Sequence, residues 1–284
     1  MALLDFILNL AALLLWLNWL SIHSDPLARA SAASLIGTLK KADSSGPRRW
    51  KSLVGLVLLL GFRAVIYWQL SPTVHWSPTL SLGVIVLSFR GDFFTHVLLF
   101  SVMSFLFALA TFYFWLVLLS VVNTSVPDKD PLQKLVRLHF RWLERWPAPI
   151  KLLLPFLFGA LFWVSFHPLL AFLDITPGIK STAQLFRQSA IIGLAAYLAW
   201  KFLVVGVLLL HLLNSYVYLG NHSFWNFINA TARNMLFLLR WLPLRLGKMD
   251  FVPVIGIALV FLVCETFSRL TVWLPPRFYH LLPF

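Results

Sequence analysis

The chain has 284 residues, of which 60% are hydrophobic and 12% are charged, and its formal net charge is +13. A soluble domain carries about twice that share of charged residues, so the composition excludes an ordinary soluble fold. Cys264 is the only cysteine, which excludes an internal disulfide and any zinc or iron–sulfur site built from several cysteines. The composition therefore predicts an integral membrane protein.

Six apolar stretches are long enough to cross a hydrocarbon layer of ~30 Å, which needs about 20 helical residues. In lipid every backbone amide must be hydrogen-bonded within the protein, so these stretches are predicted to be helices. The first is predicted to be a retained span, because Asp5 stands where a cleaved signal peptide has positive charge. The predicted spans are residues 2–20, 52–70, 97–122, 152–173, 188–213 and 251–270.

The segment between the second and third spans is of a different kind. Pro72 and Pro78 are expected to end the second helix. Residues 79–88 are apolar with partial alternation and are too short for another span. We expect residues 71–96 to form a surface-lying or re-entrant segment on the outer side of the membrane.

Positive charge is concentrated in three loops, which lie on one side of the membrane if the six spans are correct. The loops at residues 21–51, 123–151 and 214–250 hold most of the 23 Lys and Arg residues. Cytoplasmic loops carry such an excess, so both termini are predicted to be extracytoplasmic in an inner (plasma) membrane. The same distribution favours anionic lipid headgroups and membrane proteins as partners, and argues against nucleic acid.

The basic loops belong to an internal repeat in which a membrane helix, a basic amphipathic stretch and a returning helix follow one another. Arg137 and Pro147 in one copy align with Arg233 and Pro243 in the next. The residues between Arg233 and Pro243 are predicted to form an interfacial helix with its apolar side toward the membrane. The predicted organisation is an extra N-terminal hairpin (1–70), an outer segment (71–96), a hairpin repeat with a degraded motif (97–173), and a repeat with an intact motif and C-terminal tail (174–284).

The third basic stretch closes on Gly247, Asp250 and Pro253. Asp is a strong N-cap and Pro fits a first helical turn, so Asp250 is expected to cap the last span. The alternative is that Asp250 pairs with Arg240 or Arg245 and that the pair binds a partner protein or a lipid headgroup. The candidate lipid- and partner-binding residues are Arg137, Arg141, Arg233, Arg240, Arg245, Lys248 and Asp250.

The string from Asn226 through Leu239-Arg240-Trp-Leu-Pro243 to Gly247-Lys-Met-Asp250-Phe-Val-Pro253 resembles the YggT (YlmG) family. The second repeat lacks the closing Gly and Asp, and residues 1–70 lie outside the usual two-repeat pattern. The resemblance implies an integral membrane protein associated with osmotic tolerance, ion uptake or envelope organisation. For plastid members it implies assembly of the cytochrome b6 haem site. It implies no enzymatic reaction.

Ionisable residues inside spans are costly and mark sites that face protein or water. At 1.5 Å per residue, Arg63, His167 and Glu265 lie at similar depths and are predicted to meet, with Arg269 one turn beyond Glu265. A locking ion pair and an ion- or proton-conducting site are both compatible with this cluster. Lys201 is expected to reach toward the cytoplasmic face.

No metal site or enzymatic motif is predicted. We expect an all-α protein of about six spans in three hairpins, acting as a non-enzymatic scaffold or assembly factor that binds lipids and partners through basic amphipathic helices. One alternative is an ion transporter or channel component in osmotic adaptation. A weaker alternative is a haem-handling assembly factor that uses His96 and His167 as axial ligands.

Overall fold

The computed structural model describes residues 2–21, 46–74, 76–123, 146–179, 181–217, 223–239, 245–246 and 249–273. This part of the chain is mostly helical, which confirms the predicted helical membrane class. The helices are α1 (Ala2–Ser21), α2 (Gly46–Val74), α3 (Phe94–Val122), α4 (Ala148–Phe172), α5 (Thr182–Ala195), α6 (Trp200–Tyr216), α7 (Ser223–Met235) and α8 (Val252–Trp273).

Five stretches of helix in the described chain are long and apolar enough to cross a membrane: α1, α2, α3, α4 and the continuous α5–α6. The apolar part of α8, Val252–Phe267, is shorter. All six predicted spans are thus helical, whereas their number as crossings and their pairing into three hairpins stay predictions.

The chain forms two compact units. Unit 1 contains Met1–Leu80 and Ser88–Ala110, and unit 2 contains Ser81–Leu87 and Thr111–Phe284. The predicted repeat boundaries at residues 70, 96 and 173 remain predictions.

Unit 1 packs α1 against α2 and the first half of α3. Its apolar core is formed by Ala12, Leu56 and Phe105, with Leu15 and Trp16 of α1 packed beside them. Asn18 of α1 also donates a hydrogen bond to Ser52 Oγ of α2 over 3.0 Å. Several apolar side chains on the other side of α1, among them Phe6, Leu10 and Leu14, are exposed, as expected for a helix that borders lipid.

The second helix ends between Pro72 and Pro78, although α2 continues two residues past Pro72, to Val74. A proline this close to a helix end removes only one backbone hydrogen bond, so the last turn can form around it. Residues 79–88 then form the two-stranded sheet β1 (Thr79–Ser81) and β2 (Val86–Ser88), and alternate residues along both strands are buried. The alternation of apolar and polar residues seen in the sequence therefore belongs to a two-stranded β-hairpin.

Gly83 lies at the tip of this hairpin with φ +90°, a conformation that side chains other than glycine rarely adopt. A Cβ atom there would lie 3.2 Å from Leu198 Cδ1 and 3.4 Å from the Ala195 carbonyl oxygen. The hairpin tip thus packs closely on the end of α5 within unit 2.

In unit 2, α4 and α5 approach closely at two glycines. A Cβ atom on Gly159 would lie 3.0 Å from Gly193 Cα, and one on Gly193 would lie 2.7 Å from the Phe156 carbonyl oxygen. Small residues allow such contact between membrane helices, where packing rather than apolar transfer drives association. Ser181 is the N-cap of α5, and its hydroxyl accepts a hydrogen bond from the Ala183 amide.

The remainder of unit 2 is built from α6, α7 and α8. A 3₁₀ turn, Ala196–Ala199, joins α5 to α6, and a second one, Phe237–Leu239, follows α7. The apolar core joins Val207 and Leu208 of α6 to the buried face of α7 and to Val252 of α8. The two-residue strands β3 (Arg245–Leu246) and β4 (Met249–Asp250) pair just before α8.

Candidate functional site

Unit 1 contains a polar cluster within its apolar helices. Arg63 projects from α2, Asp5 and Asn9 lie one turn apart on α1, and Ser104 lies on α3. The spacing of Asp5 and Asn9 places both side chains on one face of α1, toward the other two helices. We refer to Asp5, Asn9, Arg63, Tyr67 and Ser104 as the Arg63 cluster.

The Arg63 guanidinium binds all three helices. Its Nη2 donates to Asp5 Oδ1 over 2.7 Å and to Ser104 Oγ over 3.1 Å, and its Nη1 donates to Asn9 Oδ1 over 2.8 Å. Asn9 Nδ2 also donates to Ser104 Oγ over 3.0 Å. One side chain on α2 therefore holds α1 and α3 in register.

The Asp5 carboxylate accepts a second hydrogen bond from a side chain of α2. The Tyr67 hydroxyl donates to the same Oδ1 atom over 2.6 Å. The guanidinium carbon of Arg63 lies 5.4 Å from the centre of the Tyr67 ring and 5.3 Å from that of Phe100, so the cation is flanked by aromatic faces. These contacts stabilise the buried charge of Arg63.

The Arg63 side chain is 1% exposed and the Asp5 side chain is 22% exposed. A buried ion pair gives little net stabilisation over apolar residues, but loss of one partner costs about 3–5 kcal/mol, because a charge is left uncompensated. Chemically, the cluster can lock α1 in place, because one carboxylate accepts hydrogen bonds from both Arg63 and Tyr67 of α2.

The ion-pair partner of Arg63 within unit 1 is Asp5, because Asp5 lies on the helix packed against α2. The predicted meeting of Arg63 with His167 and Glu265, which belong to unit 2, stays a prediction. The sequence signal for the Asp5–Arg63 pair is the rarity of acidic residues in spans: Asp5 lies in the first apolar stretch, where a carboxylate requires a partner on a neighbouring helix.

In unit 2, Glu265 and Arg269 form the predicted pair one turn apart on α8, with 2.8 Å between Oε1 and Nε. Both side chains are largely exposed, whereas His167 is buried against Trp163 on α4. His167 and Glu265 therefore do not share a buried site. The His167 ring is hydrogen-bonded to the backbone of Pro177, and Trp163 Nε1 donates to Gln188 Oε1 over 3.2 Å.

Lys201 of α6 contacts α8. Its Nζ lies 4.5 Å from the centre of the Phe261 ring, a cation–π contact. Phe261 is nine residues after Val252, or about 14 Å along α8, so the ammonium group lies beside the middle of that helix. The expected reach of Lys201 toward the cytoplasmic face stays a prediction.

The amphipathic helix of unit 2 differs from the prediction. It is α7, which ends at Met235, whereas the sequence favoured a helix from Arg233 to Pro243. Its apolar residues Phe227, Ile228 and Ala232, and the following Leu236, are buried in the core with α6 and α8. The apolar side thus faces protein in place of membrane, because α6 and α8 offer it a matching apolar surface.

A neutral hydrogen-bond network ties α7 to the end of α3. Asn123, which is fully buried, donates from Nδ2 to Thr231 Oγ1 over 2.8 Å. Asn234 Nδ2 donates to the Val122 carbonyl over 3.2 Å, which satisfies a group at the helix end that has no intrahelical donor. His211 Nδ1 and Asn229 Oδ1, 2.8 Å apart, link α7 to α6.

The exposed face of α7 is polar. Asn226 and Arg233 are seven residues apart, which is two turns, and both are exposed opposite the buried stripe. Arg233 lies in the last turn, where a cation interacts favourably with the helix dipole. The helix is thus held by its buried face and presents a cation on its exposed face.

The closing motif is only partly described. Arg245 is paired with Asp250 in the β3–β4 register, and Phe251 accepts the hydrogen bond from the Ile255 amide that opens α8. Phe251 therefore occupies the N-cap position expected for Asp250, because the chain is still extended at Asp250. Four predicted binding residues lie outside the described residues: Arg137, Arg141, Arg240 and Lys248.

Within the described part of the chain, no group of three or more His, Cys, Asp or Glu side chains is placed to hold a metal ion. His96 lies in unit 1 and His167 in unit 2, and their pairing at a haem stays a prediction.

No family model matches the chain, and no curated protein or solved structure matches it at a significant level. The resemblance to the YggT family is therefore carried by the motifs of the sequence alone.

Proposed function

We propose that this chain is a non-enzymatic membrane scaffold or assembly factor of the YggT type. It would lie in the inner (plasma) membrane with both termini outside the cytoplasm. Its cytoplasmic basic segments would bind anionic lipids and partner membrane proteins. In this proposal α7 is the central docking element, and Arg137, Arg141, Arg240, Arg245 and Lys248 extend the basic surface.

The observation that supports the proposal is the division of α7 into two faces. One face is buried against α6 and α8 and tied to α3 by Asn123, so the helix cannot turn over without breaking the core of unit 2. The opposite face carries Arg233. A rigid helix with a free cation at its end suits docking, because little conformational entropy is lost when a partner binds.

The test is co-purification from membranes in a gentle detergent. Replacing Arg233 and Arg240 by Gln should release bound partners and anionic lipid, with about a fivefold loss per residue at ~1 kcal/mol for each cation. Arg187→Gln is the matched control, because Arg187 is an exposed arginine on α5 that is predicted to face the other side. Equal retention by all variants would contradict the proposal.

A second candidate, an ion transporter or channel component, is favoured by the Arg63 cluster. Charged groups inside membrane helices commonly mark ion or proton paths. Purified protein in liposomes would then pass K⁺ or protons, and Asp5→Asn or Glu265→Gln would stop the flux. Absence of K⁺ and proton flux through the liposome membrane would rule out this candidate function.

The haem-handling alternative has its own test. Haem-supplemented expression should give a preparation with a bis-histidine absorption spectrum that is lost in His96→Ala or His167→Ala. A colourless preparation would remove that alternative.

A further inference from the structure

The side of α2 that points away from the Arg63 cluster is exposed along most of the helix. Its ends carry two tryptophans, Trp50 and Trp68, which are 71% and 44% exposed. They are 18 residues apart, which is five helical turns, so both lie on the same side of α2. We call this surface the α2 face, formed by Trp50, Val54, Val57, Leu58, Phe62, Val65 and Trp68.

The spacing of the two tryptophans matches the thickness of a bilayer. At 1.5 Å per residue, they are about 27 Å apart along the helix, against ~30 Å for the hydrocarbon layer. The apolar segment of α2 that is long enough to cross a membrane runs over Trp50–Ser71, so it begins at the first tryptophan. Tryptophan is enriched at both membrane–water interfaces, because its ring is apolar and its N–H is polar. The two rings therefore have the positions of interface residues in opposite leaflets.

The Trp68 end of the α2 face combines aromatic rings with a cation. Trp68 Nε1 donates to the Asp92 carbonyl over 3.2 Å, and the Trp68 ring lies edge-on to Phe94, with 5.9 Å between ring centres. The guanidinium carbon of Arg90 lies 5.7 Å from the centre of the Phe93 ring, and both of these side chains are exposed. This end thus offers positive charge to phosphate groups and apolar rings to the upper part of the acyl chains.

The Trp50 end also carries positive charge. Lys51 is exposed, and Arg48 and Arg49 precede Trp50 in the sequence. Basic side chains near the ends of a membrane helix reach the headgroup level and are attracted by anionic lipid. Both ends of the α2 face are therefore complementary in charge to lipid headgroups, whereas the residues between them are apolar.

We propose that phospholipid covers the α2 face, with acyl chains along its apolar residues and the headgroups of the two leaflets at Trp50 and Trp68. A protein partner would account for the apolar residues alone, whereas phospholipid also accounts for the tryptophans and cations at both ends. Arg63, five residues from Trp68 and 13 from Trp50, then lies about 8 Å inside one interface and about 20 Å from the other. The inference does not depend on the scaffold proposal, because it concerns unit 1 and not α7.

The first test measures the depth of spin labels in vesicles of phosphatidylcholine and phosphatidylglycerol. Since Cys264 is the only cysteine, Cys264→Ala gives a cysteine-free background. One nitroxide is attached through Leu58→Cys, near the midpoint of the α2 face, and the control through Asp92→Cys, an exposed position at its Trp68 end. Oxygen enters hydrocarbon and a water-soluble nickel chelate does not, so the oxygen-to-nickel accessibility ratio should be about tenfold higher at Leu58→Cys.

Two results of this measurement would overturn the proposal. Equal ratios at both positions would mean that water reaches the middle of the α2 face. Low accessibility of Leu58→Cys to both oxygen and the nickel chelate would mean that protein covers it.

The second test identifies the occupant in native membranes. Leu58→Cys in the same background is labelled with a benzophenone maleimide and irradiated. Most of the adducts should carry the mass of one phospholipid. Adducts formed mainly with a second copy of the chain, or with another polypeptide, would overturn the proposal.

Discussion

The two units of this chain hold their helices together by different contacts. Unit 1 buries a full charge, Arg63, and surrounds it with a carboxylate, an amide and hydroxyls from three helices. Unit 2 also buries a charge, Lys151, whose Nζ donates to Ser120 Oγ over 3.2 Å. Its helices α5 and α7, however, are joined to their neighbours by the close approach of Gly159 and Gly193 and by neutral hydrogen bonds such as Asn123 to Thr231. The difference teaches that α1 is fixed by an ion pair, whereas α5 and α7 are fixed by close packing and neutral hydrogen bonds.

The largest expected effect comes from removing the negative charge of Asp5 in unit 1. Asp5→Asn keeps the shape of the side chain but leaves Arg63 buried without a counter-charge, so the free energy of unfolding should fall by about 3–5 kcal/mol. Asp92→Asn is the matched control, because Asp92 is an exposed carboxylate of the same unit. The measurement is reversible unfolding in lipid bicelles, and similar losses in both variants would show that the pair does not stabilise unit 1.

The second largest effect tests the close packing of α4 and α5 in unit 2. Gly193→Ala places a methyl group 2.7 Å from the Phe156 carbonyl oxygen, and relief of that clash should cost about 1–3 kcal/mol. Gly206→Ala is the control, because a Cβ atom there meets nothing within 4 Å. It should be neutral or stabilising by up to ~1 kcal/mol, since alanine favours the helix. Equal destabilisation by both changes would refute the close approach of α4 and α5.

A smaller effect tests the neutral hydrogen bonds. Thr231→Val removes the hydroxyl that accepts from Asn123 while preserving side-chain shape, and should cost about 1 kcal/mol. Thr231→Ser retains the acceptor and should retain the bond between α3 and α7, detected as slow exchange of the α7 amides. Faster exchange in both variants would point to packing of the threonine methyl group.

The smallest effect concerns the free face of α7. Arg233→Gln should change the unfolding free energy by no more than ~0.5 kcal/mol, because the side chain is exposed and outside the core. The same variant should lose partners in the co-purification described above. A large loss of stability would show that Arg233 stabilises the fold, and it would weaken the docking proposal.

Hydropathy predicted the positions of the long helices well, since lipid requires long apolar stretches and all six predicted spans are helical, five of them long and apolar enough to cross a membrane. It could not predict which polar side chains meet. Asp5 and Arg63 are 58 residues apart, and their contact depends on the rotation of two helices about their own axes. The Glu265–Arg269 pair was predictable because helix geometry alone places residues four apart side by side.

The limits of α7 could not be predicted for a related reason. Apolar residues recur at helical spacing from Phe227 through Leu239, so periodicity alone does not show where the helix ends. Nor does it show whether the apolar stripe faces lipid or protein, because both are apolar surroundings. That choice is made by α6 and α8, which lie on either side of α7 in the sequence.

The most direct measurement of the central claim, that a charge pair holds unit 1 together within the membrane, is a double-mutant cycle with Asp5→Leu and Arg63→Met in lipid bicelles. Each single change should lower the unfolding free energy by about 3–5 kcal/mol, while the double variant should lie within about 1 kcal/mol of the native chain, because no buried charge remains. Losses that simply add in the double variant would contradict the claim.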